Sequence, residues 1–153
     1  MRQTLRFVFL VFWALLANAV FPQAEPYRAV IDSDGVQRVR VVGGSYFFRP
    51  NHIIVKVKTP VELSASLEPG IAPHTLVLDA IEAGVAIDEK LSTDPKAIVF
   101  TAAAVGKYGF YCKNKLLFFK SHRENGMEGI LEVVEKVLEL TLVAAPRSMS
   151  ARH

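Results

Sequence analysis

Gly106-Lys107-Tyr108-Gly109-Phe110-Tyr111-Cys112 is an aromatic stretch that ends on the only cysteine of the chain. His122 and Met127 follow it in the spacing Cys-x9-His-x4-Met, and Gly126-Met127-Glu128-Gly129-Ile130-Leu131-Glu132-Val133 closes the segment. Tyr108, Phe110 and Cys112 alternate with Lys107, Gly109 and Tyr111, the period of a strand with one buried face.

The same alternation recurs on the N-terminal side. Gln37-Arg38-Val39-Arg40-Val41-Val42, His52-Ile53-Ile54-Val55-Lys56-Val57-Lys58 and Val61-Glu62-Leu63-Ser64-Ala65-Ser66-Leu67 read as strands. So do His74-Thr75-Leu76-Val77-Leu78, Ala97-Ile98-Val99-Phe100-Thr101 and, on the C-terminal side, Ile130-Leu131-Glu132-Val133-Val134. Turns at Gly43-Gly44-Ser45, Arg49-Pro50-Asn51 and Glu68-Pro69-Gly70 separate them. Short alternating strands between Pro/Gly turns predict an all-β sandwich or barrel. The stretch from Ala80 to Ser92 reads as a short helix or an irregular crossing.

At the N-terminus, Arg2 and Arg6 precede the apolar run Phe7–Leu16, which ends at Ala17-Asn18-Ala19. A basic start, a short apolar middle and a small-x-small end predict a signal peptide cleaved after Ala19. The run is short for a membrane anchor, which needs about 20 apolar residues. The expected organisation is a signal peptide over 1–19, a lead over 20–27, one domain over 28–135 and a C-terminal tail over 136–153. Within that tail, Val137–Val143 reads as a candidate extra strand. Export implies a periplasmic or secreted protein.

Cleavage removes two of the 18 basic residues and none of the 15 acidic ones, leaving 16 against 15, a net charge of +1. With that balance, and no basic cluster interleaved with aromatics, no nucleic acid is expected as a partner. A lone thiol in an exported chain has three readings: a partner thiol, an inert buried residue or a metal ligand. The downstream His and Met favour the ligand. A thiolate, two imidazoles and a thioether suit copper cycling between its two oxidation states. Structural zinc draws more thiolate, and methionine is a poor zinc ligand.

Three motifs carry a resemblance. Gly106–Cys112 resembles the G-x-Y-x-F-Y-C strand of the cupredoxins, the blue-copper family. Gly126–Val133 is similar to their closing G-M-x-G segment, and Ala72-Pro73-His74-Thr75-Leu76-Val77 to the stretch that supplies their first ligand. The resemblance covers roughly residues 37–135. It implies a Greek-key β-sandwich of the cupredoxin type, with one type 1-like copper ion at one end. The implied ligands are His74, Cys112 and His122, with Met127 axial.

Three departures stand out. The nine residues between Cys112 and His122 exceed the two or four typical of the small electron carriers. Lys113 replaces the hydroxyl residue that often follows the cysteine, and Thr75 stands where Asn is common after the first His. Those residues usually tie the two ligand loops together, so a looser join is expected. Within the long loop, Leu116, Leu117, Phe118 and Phe119 are bracketed by lysines. They either dock a redox partner or fold back to cap the barrel.

The expected function is an electron carrier, monomeric and not itself an enzyme. Its partner is expected to be a redox protein or a copper oxidase, and any membrane association runs through that partner. The alternatives are a copper chaperone or delivery factor for a copper oxidase, and a small copper enzyme in which Met127 leaves a coordination position open.

Overall fold

A computed structural model describes residues 25–137. The signal peptide, its cleavage point, residues 20–24 of the lead and all of the tail beyond 137 lie outside the described residues. Among the described residues, no helix is long and apolar enough to cross a membrane.

Among the described residues, ten strands form a Greek-key β-sandwich. In chain order they are β1 (Tyr27–Arg28), β2 (Gln37–Gly44), β3 (Phe47–Arg49), β4 (His52–Lys56) and β5 (Val61–Leu67), then β6 (Thr75–Ala80), β7 (Val85–Lys90), β8 (Lys96–Phe100), β9 (Gly106–Tyr111) and β10 (Glu128–Val134). One sheet has the order β1-β4-β10-β9-β6-β7 and the other β3-β2-β5-β8. The pairs β4/β10 and β2/β5 are parallel, because the chain crosses between the sheets before it returns.

The alternation seen in the sequence is the burial pattern of the sheets. In β2, Val39 and Val41 point inward while Arg38 and Arg40 face solvent. In β5, Val61, Leu63 and Ala65 do the same. In β9, Tyr108 and Phe110 are buried, and Cys112 continues their face one residue beyond the strand. Period-2 geometry therefore aims the thiol into the sandwich.

The stretch from Ala80 to Ser92 does hold a short helix, but its greater part is a strand and not an irregular crossing. One 3-10 turn, Ile81–Ala83, leads into β7, which pairs antiparallel with β6. Gly84 turns the corner at φ +70°. Val85 and Ile87 are buried and Ala86 and Asp88 exposed, an alternation too short to stand out in the sequence beside the charged run Asp88-Glu89-Lys90.

Gln37, at the start of β2, is fully buried, and its amide joins the two sheets. Its Nε2 donates to the carbonyls of Lys56 and Thr59 at 3.2 and 3.3 Å, and its Oε1 accepts the Lys56 N–H at 2.7 Å. The opposite end of β2, Gly43-Gly44, lies beside Met127. The lock and the His/Cys/Met cluster thus occupy opposite ends of the sandwich.

Candidate metal centre

His74 immediately precedes β6, and its carbonyl accepts the Leu91 N–H at 3.0 Å. Cys112 follows β9. His122 and Met127 lie in the connection to β10, with Met127 on its threshold. Three backbone bonds close this connection: Cys112 N–H to the Met127 carbonyl at 3.0 Å, Met127 N–H to the His122 carbonyl at 2.9 Å, and His122 N–H to the Asn114 carbonyl at 2.9 Å. Gly126, at φ +100°, adopts the left-handed conformation that lets the chain turn back onto β10.

The sequence-predicted residues converge. The ligand atoms of His74, Cys112 and His122 all lie within 4.8 Å of one another, and all three residues are buried. Cys112 Sγ is 3.5 Å from His122 Nδ1 and 3.8 Å from His74 Nδ1, and the two Nδ1 atoms are 3.0 Å apart. Met127 is fully buried, its methyl end packed toward Gly43. Burial, and then the neighbouring His122, hold His74 below the ordinary imidazole range, which favours a neutral ring with a lone pair to give.

The looser join expected from Thr75 and Lys113 is not what the structure has. The Thr75 N–H donates to Cys112 Sγ at 3.4 Å. Its hydroxyl donates to Asn114 Oδ1 at 2.9 Å and accepts the Lys113 N–H at 3.1 Å. The Cys112 thiol also reaches Asn114 Oδ1, at 3.4 Å. A hydroxyl after the histidine and an amide two residues after the cysteine supply the tie, so the polar pair is present with its members exchanged.

Sequence reasoning missed two more contributors. Tyr46 sets its ring edge-on to His122, centroids 5.2 Å apart. Gly43 leaves the space that Met127 fills, since a Cβ there would lie 3.3 Å from the Met127 methyl. Neither leaves a local signal, because each contact joins residues far apart along the chain. His52, at the start of β4, is half-buried and bonded to Glu132 at 2.8 Å.

The long loop does not fold back. Leu116, Leu117, Phe118 and Phe119 are 63%, 76%, 85% and 56% exposed, so they do not cap the barrel.

Comparison with known proteins shows the fold. No protein-family model matches the chain, and no curated relative is detected by sequence. Solved structures do match. The metal binding domain of the Cu(I)-exporting P-type ATPase CopA of Streptococcus pneumoniae D39, with Cu(I), superposes at TM-score 0.54 and 21% identity, over 74% of this chain and 100% of that one. A copper binding protein in its apo form gives 0.53 at 18% identity, over 73% and 100%. Auracyanin of Roseiflexus castenholzii gives 0.50 at 18% identity, over 63% and 96%.

The chain has a cupredoxin fold. Within this fold the cluster fits a single type 1 copper site: one thiolate and two imidazoles in mutual reach, a buried thioether on the adjoining residue run, and the Thr75 N–H on the sulfur. Two thiolates of this chain cannot bridge a dinuclear centre, since Cys112 is its sole cysteine.

Proposed function

We propose that this cupredoxin is an exported mononuclear copper protein that carries electrons between periplasmic or membrane redox partners. One observation carries the reading: a His2Cys set, drawn together within 4.8 Å and shut away from solvent at the end of a β-sandwich. His74, Cys112 and His122 would hold the ion together with Met127, and the ion would supply a one-electron couple. The residues around it do the rest. Thr75 and Asn114 orient the sulfur, the two ligand loops are bonded to each other, and burial excludes water. A site so fixed changes shape little when its charge changes, which keeps the cost of moving an electron low. Three buried ligands with a buried thioether on the adjoining run favour a carrier over an enzyme that must admit a substrate. The basic, apolar and small-residue sequence of residues 1–19 supports export to the periplasm or beyond.

A second reading, copper delivery to an oxidase, is favoured by a cleft of about 550 Å³ that His74 lines together with Glu68, Pro73, Leu91 and Ser92. It offers an approach to one ligand from outside the sandwich.

The experiment is a titration with one equivalent of Cu(II), read by visible and electron-spin-resonance spectra, with Cys112→Ser as control. An intense visible band that bleaches and returns through redox cycles, and is absent in Cys112→Ser, supports the carrier. A pale sample that reduces itself and holds Cu(I) tightly transfers support to delivery. Failure to bind either ion removes both readings.

A further inference from the structure

Residues 113–124 contain Lys113, Lys115, Lys120 and Arg123 against one acid, Glu124. At their centre Leu116 to Phe119 form a turn, closed by the Phe119 N–H on the Leu116 carbonyl at 3.0 Å, with Leu117 at φ +47°. We propose that this turn inserts into the headgroup boundary of an anionic lipid surface and holds the metal end of the domain against it.

Two features favour lipid over a protein partner. First, all four side chains are more than half exposed, Phe118 most of all at 85%. Phe118 and Phe119 pack ring to ring, centroids 4.7 Å apart, so with Leu116 and Leu117 they form one protruding apolar tip. A fluid apolar layer can surround such a protrusion without a matching pocket. Second, the cations sit where headgroups would be. Lys113 is paired with Asp88 and Arg123 with Glu128, but Lys115 and Lys120, which bracket the apolar tip, have no ion-pair partner among the described residues. Lysines are depleted from the cores of protein interfaces. Beside an anionic membrane they gain affinity, and their stems extend from the apolar layer to the phosphates.

The base of the loop is built to present the tip. His122 N–H bonds to the Asn114 carbonyl at 2.9 Å, and the Asn125 side chain reaches the Ser121 carbonyl at 3.1 Å. Insertion therefore needs little ordering of the chain. Ile71, fully exposed three residues before His74, gives the same end a second apolar contact. An apolar tip with a basic collar is the composition of interfacial anchors.

The inference does not rest on copper, and its test is separate. The exported protein, its N-terminus read by mass spectrometry, is sedimented with phosphatidylglycerol–phosphatidylcholine vesicles and with phosphatidylcholine vesicles alone. The expected result is binding to the anionic vesicles that weakens with salt. Phe118→Ser with Phe119→Ser lowers that binding about tenfold or more through lost apolar burial. Lys115→Gln with Lys120→Gln lowers it by about tenfold or more on anionic vesicles and little on neutral ones. In Phe118→Trp, the added emission, taken as the difference from the parent, shifts to the blue with vesicles and is quenched by brominated lipid. These positions are exposed, so circular dichroism and copper titration of the variants should match the parent. A parent that ignores vesicles, binding untouched by the loop variants, or an added Phe118→Trp emission that vesicles leave unshifted would each overturn the proposal. Loop-dependent capture of an acidic redox protein without vesicle binding would overturn it too, and assign the turn to a protein partner.

Discussion

The Thr75 hydroxyl donates to the side-chain carbonyl of Asn114 across 2.9 Å, and so joins the chain segment that carries His74 to the one that carries Cys112. Because the same hydroxyl accepts the Lys113 N–H, and both Thr75 and Asn114 reach the Cys112 sulfur, one small network fixes the approach of two ligands. Removing either member leaves buried polar groups without partners. Thr75→Val and Asn114→Ala should each destabilise the metal-free protein by about 1–3 kcal/mol. In the copper-loaded protein they should broaden the visible band and shift the reduction potential, and Thr75→Ser should restore both. Wild-type spectra in both variants would show that the network holds the loops together without tuning the sulfur.

Met127 can be tested through its neighbour. A Cβ on Gly43 would lie 2.9 Å from a Leu67 methyl and 3.3 Å from the Met127 methyl. Gly43→Ala should therefore push the thioether aside and cost about 1–3 kcal/mol by overpacking. If Met127 is the axial ligand, the copper spectrum changes in Gly43→Ala and in Met127→Leu alike. A spectrum unmoved in both would remove Met127 from the ligand set and leave it as core.

At the far end of the sandwich, Gln37→Leu deprives the Lys56 N–H of its acceptor and two carbonyls of their donor. An unfolding midpoint lower by the equivalent of about 2–3 kcal/mol is expected, from the desolvation of buried groups left unpaired. The copper spectrum should not change, since β2 separates this amide from the metal end. Loss of the spectrum in a folded Gln37→Leu protein would show coupling along the strand that the static structure does not contain.

The His52–Glu132 pair predicts a pH dependence. The bond from His52, and the nearby Lys107, hold the Glu132 carboxyl below its ordinary value of 4.5. The folded protein thus binds this proton less readily than the unfolded chain. Its contribution is complete above the unfolded value and is lost as the pH falls through the lower folded value. Glu132→Gln should accordingly be less stable than the parent at neutral pH, with the gap closing below pH 4.5 in acid melts. A gap that stays constant into acid would mean that the pair is held by geometry rather than charge.

The class of fold and the gathering of His74, Cys112, His122 and Met127 at one end of it were legible before any coordinates. Strand alternation is local, with period 2, and the order of the Gly106–Cys112 and Gly126–Val133 segments around the sole cysteine is written in the chain. Gly129 shows why such a motif is strict: a Cβ there would meet the Asn51 carbonyl oxygen at 2.5 Å and run into the Phe110 ring. Other features exist only once the chain has folded. The exchange of roles between Thr75 and Asn114, the edge of Tyr46 on His122 and the space at Gly43 all join residues from distant strands, and the spacing along the chain carries no trace of them. The strand at Val85–Lys90 formed where local pattern was weak because β6 offered it a full ladder of partners. The outward turn of Leu116–Phe119 was likewise undecided, since four apolar residues read the same whether buried or exposed. Which of the two they are depends on whether the rest of the fold has a place for them, and here the metal end is already filled by His122, Met127 and Tyr46.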